Sequence, residues 1–74
     1  MSFMDIRKQI GLNIRKKRDA LGLSQEALAY ESGIHRTYIS GLERGVRNPT
    51  VTIIQAVAAA LNVSPSELLE EIKK

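Results

Sequence analysis

SQEALAYESGIHRTYISGLE, residues 24–43, reads as two short amphipathic helices folded over a tight turn. Ser24 is a good N-cap for the first of them, because its hydroxyl can accept one of the backbone N–H groups that a helix start leaves unpaired. Leu28 and Ala29 would then face inward. Ser32-Gly33-Ile34 is the turn: Gly33 supplies the positive φ it needs, and Ile34 plugs the core after it. The second helix runs from about Arg36 to Glu43, with Ile39 and Leu42 three apart and facing the core together. Its opening, His35-Arg36-Thr37-Tyr38, gathers hydrogen-bonding side chains at one exposed end.

The flanks extend this pattern. Upstream, Ile6, Ile10 and Ile14 fall on one helical stripe while Arg7, Arg15, Lys16 and Lys17 fill the other faces. That helix of about four turns ends near Gly22, which follows Leu21 as a left-handed cap does, and Leu23 turns back to the core. Downstream, Arg44-Gly45 ends the central helix, and Pro49 makes Val46-Arg47-Asn48-Pro49 a loop. Thr50 caps a fourth helix with an Ile54, Val57, Ala58 and Leu61 stripe, and Asn62 terminates it in place of Gly. Ser64-Pro65-Ser66-Glu67 starts a fifth, with Ser64 as N-cap, Pro65 at the first position and Glu67 closing a capping box. That helix is expected to bury Leu68 together with Leu69 and Ile72, the last two lying alternatively in a dimer surface. The expectation is all-α: a compact five-helix domain with no strand and no repeat.

Seventy-four residues make one small domain whose core is marginal. There is no Cys and one His, so disulfides are excluded and a structural zinc site has no ligand set. Oligomerisation is the remaining extra source of stability. The start, Met1-Ser2-Phe3-Met4, lacks a signal-peptide run, and no apolar stretch approaches the roughly 18 residues of a membrane span. A cytoplasmic protein with no membrane association is expected. The net charge of +3 is unevenly spread: residues 1–48 carry nine Lys/Arg against five Asp/Glu, residues 49–74 two against three. A basic half and a nearly neutral half fit a polyanion binder with a separate interaction surface.

Two helices over a tight turn, the second opening with groove-sized polar side chains, have the layout of a helix-turn-helix that reads DNA. The wider order of features resembles the phage repressor and Cro type of helix-turn-helix domain. The resemblance rests on Ile14-Arg15 with Arg18, on Gly22-Leu23-Ser24-Gln25 with Leu28-Ala29, and on Gly33-Ile34. It continues through Ile39-Ser40-Gly41-Leu42-Glu43-Arg44-Gly45, Pro49-Thr50 and Ala60-Leu61-Asn62-Val63-Ser64, covering about four-fifths of the chain. Within that group, His35 to Arg44 looks most like the controller proteins of restriction-modification systems. The resemblance implies a short, dimeric, bacterial or phage regulator that binds an operator upstream of its own gene and times endonuclease expression.

On this reading the domain spans 1–74, with the helix-turn-helix at about 24–44 and a dimerisation half at about 50–74. Arg36 and Thr37 point from the helix N-terminus at base edges, with Ser40 one turn on and Tyr38 beside them. Tyr38 is either a contact or a packed rim aromatic. The resemblance gives Gln25 a phosphate, helped by the free N–H groups of its helix end. His35, Arg44, Arg47 and Asn48 complete the backbone contacts, and Arg15 and Lys16 extend the footprint. The resemblance also implies an ion pair, Arg18 with Glu43, tying the first helix to the third. One such unit reads too few base pairs, so a homodimer on a palindromic operator is expected, two dimers binding cooperatively being an extension of it. Ile53, Asn62, Val63, Leu69 and Ile72 are the expected dimer surface. Glu26 and Glu31 are candidates for RNA polymerase contact, as acidic residues there serve in some resembled repressors. Tyr30 is a rim or contact residue.

Three alternatives stay open at this level. A phage or plasmid Cro-like repressor shares much of the string. An antitoxin-type regulator would usually carry a further segment for its toxin. An enzyme is disfavoured: no grouped carboxylates and no phosphate-binding glycine loop are present, and neither cofactor nor metal is expected.

Overall fold

Each helix start is marked by a polar side chain that takes up an orphan N–H group. In the computed structural model, which describes residues 5–72, α1 (Ile6–Ala20) starts at Asp5, whose carboxylate accepts from the Arg7 backbone N–H at 2.9 Å. Ser24 caps α2 (Gln25–Ser32) by accepting from Ala27 at 3.0 Å, and Thr50 caps α4 (Val51–Ala60) by accepting from Ile53 at 3.2 Å. The start of α3 (Arg36–Arg44) is capped by His35. At α5 (Pro65–Leu68) the Glu67 carboxylate accepts from the Ser64 backbone N–H at 2.8 Å.

The stops are equally local. Gly33, at φ +73°, turns the chain between α2 and α3, and the Ile34 N–H returns to the Ala29 carbonyl. Asn62 adopts φ +59°, the left-handed stop expected of it, and the following Val63 N–H bonds back to Ala58.

The five helices enclose an aliphatic core of Ile10, Ile14, Leu28, Ile39, Leu42, Val57, Ala58, Leu61 and Leu68. α1 packs on α3 and α5, α3 on α2, and α4 on α2 and α5, with no strand among the described residues. The α1–α3 crossing is backbone on backbone. A Cβ on Gly11 would stand 2.3 Å from the Leu42 carbonyl oxygen and 2.7 Å from that of Glu43, so only glycine allows the approach.

Two sequence expectations need correction. Ile6 is on the first turn of α1 but 51% exposed, because the helix overhangs the core before Ile10. α5 is a single turn: Leu68 is fully buried, Leu69 is 44% exposed and Ile72 is half-buried beyond the helix. The chain that leaves α5 is held instead by non-local bonds. The Leu68 and Glu70 carbonyls accept from the Asn13 amide at 3.0 and 2.8 Å, and the Leu69 carbonyl from Gln9 at 3.0 Å. These α1 side chains tie residues 68–70 to α1.

Two exposed carboxylates are held in the charged form by the caps. Asp5 is lowered to about 2 by hydrogen bonds from the Arg7 side chain and backbone, and Glu67 is lowered by the Ser64 N–H. A carboxylate depressed in the folded state contributes stability above its ordinary range and loses it as pH falls. Urea unfolding is expected to show stability declining from about pH 4.5, the ordinary Glu value, down to about 2. Glu67→Gln should flatten part of that decline; an identical acid limb in the variant would remove Glu67 from it.

Candidate nucleic-acid interface

α3 divides cleanly by helical phase. Ile39, Gly41 and Leu42 are buried, whereas Arg36, Thr37 and Arg44 are exposed and Ser40 is half-buried between them. Arg36, Ser40 and Arg44 follow at intervals of four, and Thr37 lies three before Ser40, so the four share one outer face. That face carries donors at its N-terminal end. His35 caps the helix through Nδ1, which accepts from the Thr37 N–H at 3.2 Å. The neutral ring therefore carries its proton on Nε2, leaving a donor at the same exposed end.

Tyr38 and Arg47 form a unit that sequence reasoning assigned to two separate contacts. The Arg47 guanidinium carbon lies 5.2 Å from the centre of the Tyr38 ring, within cation–π range. Its stem crosses α3 at Gly41, where an added Cβ would meet Arg47 Cγ at 2.7 Å. Gly41 thus leaves room for the Arg47 stem beside the outer face of α3. The signal was present in the spacing, since Tyr38 and Gly41 are one turn apart on one side. Arg47 and Asn48 remain exposed after the end of α3. Lys8, which the sequence did not mark as a site residue, packs its stem against Gly45 at the end of α3.

Arg18 and Glu43 pair in a bidentate arrangement, Nε to Oε2 at 2.6 Å and NH2 to Oε1 at 2.9 Å, with side chains 12% and 5% exposed. The Arg18 guanidinium is held above its ordinary pKa by hydrogen bonding to Glu43. Its NH1 also donates to the Leu23 carbonyl at 2.8 Å. Gln25, at the first position of α2, donates from Nε2 to Glu43 Oε1 at 3.2 Å. One of its two amide hydrogens is therefore committed inward and the other is left for an outside acceptor.

The remaining sequence-selected residues are more dispersed. Arg15 and Lys16 are exposed on α1, Arg15 lying 3.8 Å from Asp19. Glu26, Tyr30 and Glu31 are exposed on α2. Asn62 and Leu69 are exposed, while Ile53, Val63 and Ile72 are half-buried, Ile53 and Val63 resting against the core.

Comparison with known proteins places this geometry. The sequence model of the helix-turn-helix family matches residues 14–68. The chain is 48% identical over 67 residues to control protein C.SmaI of Serratia marcescens, covering 90% of this chain and 80% of that one. It is 43% identical over 67 residues to control protein C.BamHI of Bacillus amyloliquefaciens, covering 89% and 83%. The crystal structure of the restriction-modification controller protein C.AhdI from Aeromonas hydrophila superposes with a TM-score of 0.82 at 45% identity. It covers 84% of this chain and 94% of that one.

Removing one member of the Arg18–Glu43 pair leaves an uncompensated charge in a nearly dry site. Arg18→Ala or Glu43→Ala should lower the unfolding free energy by about 3–5 kcal/mol in urea titrations. Arg18→Met combined with Glu43→Leu should lie closer to the parent protein than either single change. A double variant weaker than both singles would mean that the pair contributes net stability.

Proposed function

This chain belongs to the helix-turn-helix family of DNA-binding regulators, and from that premise we propose a dimeric transcriptional regulator of the restriction-modification controller kind. It binds a palindromic operator upstream of its own gene and times endonuclease expression. The observation that carries the proposal is the outer face of α3, whose Arg36 and Thr37 are exposed and have no part in the core. The identities to C.SmaI and C.BamHI support the controller assignment.

In this reading Arg36 makes a bidentate contact to guanine O6 and N7, and Thr37 offers its hydroxyl or its methyl to the next base. Ser40 and Tyr38 extend the reading face. Gln25, His35, Arg44, Arg47 and Asn48 bind phosphates and set the register without reading sequence. For Gln25 the donor is the amide hydrogen that Glu43 leaves free, and for His35 it is Nε2–H. α3 is nine residues long and spans only a few base pairs, so two copies are required, their recognition helices about 34 Å apart. The second copy docks on Ile53, Asn62, Val63, Leu69 and Ile72, and two dimers bind side by side where the operator is doubled. Glu26 and Glu31, exposed on α2, are left to face RNA polymerase.

Footprinting on the DNA upstream of its own gene is the direct test. Arg36→Ala should cut operator affinity by at least about tenfold per half-site while leaving much of the binding to random duplex. An equal loss on both duplexes would sink the base-reading role. Arg47→Ala should weaken operator and random duplex alike and reduce the slope of log K against log salt by about one per protomer. An unchanged slope would take Arg47 out of the phosphate contacts.

A further inference from the structure

Asn13 is the buried polar residue of the described core, 6% exposed. Its amide nitrogen donates to two carbonyls, Leu68 and Glu70, and one turn earlier Gln9 donates to the carbonyl between them, Leu69. Three consecutive acceptors that α5 leaves open are thus closed by amides from α1. A polar amide in an aliphatic core costs free energy unless it is fully bonded, so its presence calls for a function beyond filling space.

The position of these bonds identifies that function. Leu68 is fully buried and anchors α5 in the core. The amide bonds act at Leu68 and beyond it, on chain that adds little to the core, since Leu69 is 44% exposed and Ile72 half-buried. A four-residue helix has almost no internal bonding to order the residues after it. We infer that Asn13 and Gln9 are positioning residues for self-association: their amides fix residues 68–70 against α1 so that Leu69 and Ile72 are presented to a second copy of this chain. This rests on the dimeric reading above, with Leu69 in its seam. α1 then has two tasks, clasping α3 through Arg18 and Gly11 and aligning the dimer surface through Gln9 and Asn13.

The test is sedimentation equilibrium on the full chain, paired with thermal unfolding of each variant at a concentration where it is monomeric. Gln9→Glu turns the surface donor into an acceptor facing the Leu69 carbonyl without touching the core. It should raise the dimer dissociation constant by about tenfold and shift monomer unfolding little. Asn13→Asp should act in the same direction and more strongly. In a Leu69→Ala background, Gln9→Glu should add much less than in the parent, because one of the two side chains it positions is gone. Additive effects of the two changes, or a loss of monomer stability that accounts for the whole change in dimerisation, would reduce the amides to a structural role and overturn the inference. An unchanged dissociation constant in Gln9→Glu, with dimerisation abolished by Leu69→Lys, would overturn the inference alone and leave the dimer reading standing. A dimer unaffected by Leu69→Lys would overturn both, by moving the seam elsewhere.

Discussion

Arg18 reaches from α1 to Glu43 at the far end of α3, donates on the way to the Leu23 carbonyl that precedes α2, and shares Glu43 with Gln25 at the start of α2. Three helices therefore meet at one ion pair, α1 and α3 through its two members and α2 through Gln25 on the carboxylate. Such a pair gives back much of its attraction in lost hydration, so its contribution is less to net stability than to orientation. Its bidentate geometry fixes how the end of α3 lies against α1. Gly11 reinforces the same point by letting the α1 backbone rest on the Leu42 and Glu43 carbonyls. The C-terminal turn of α3 is gripped on two sides, and its N-terminal turn is left projecting.

That asymmetry explains how so small a core supports a precise surface. Nine buried aliphatic side chains supply the cohesion, and the caps at Asp5, Ser24, His35 and Thr50 set where each helix begins. Lys17 adds a tie to Glu67 at 3.7 Å, so α5 is held to α1 from both its start and its end. Three of the groups proposed to meet DNA are already bonded on their inner sides: His35 through Nδ1, Gln25 through one amide hydrogen, Arg47 through the face of Tyr38. Each keeps a second polar group directed outward, so little side-chain freedom is left to lose on binding.

Much of this was legible in the residue string because its causes are local. Ser24, Thr50 and Ser64-Pro65 announce helix starts, and Gly33 and Asn62 announce stops, through bonds that span a few residues. Ile39 and Leu42 reveal the inner face of α3 by spacing alone. The Arg18–Glu43 pair was accessible only through resemblance, since nothing in a separation of 25 residues marks it. What stayed hidden was the long-range chemistry of side chains that look ordinary. Gln9 and Asn13 read as polar positions on an amphipathic helix, yet they bond the chain at the end of α5 some 60 residues away. Gly11 and Gly41 read as weak helix formers, yet one admits a backbone and the other an arginine stem. Ile6 joined the apolar stripe by periodicity, but a stripe does not say where its partner surface stops.

The division of α3 into a gripped inner side and a projecting outer one also bears on how such chains diverge. Ile39 and Leu42 are buried in the core, so they tolerate little exchange. Arg36 and Thr37 are exposed and outside the core, so on the proposed reading a substitution there would alter what is read without asking the fold to adapt. On that reading a lineage moves to a new operator by small steps, each intermediate still folded and still holding its proposed phosphate contacts. Two regulators sharing a cell can become deaf to each other's sites while remaining nearly superimposable in their backbones.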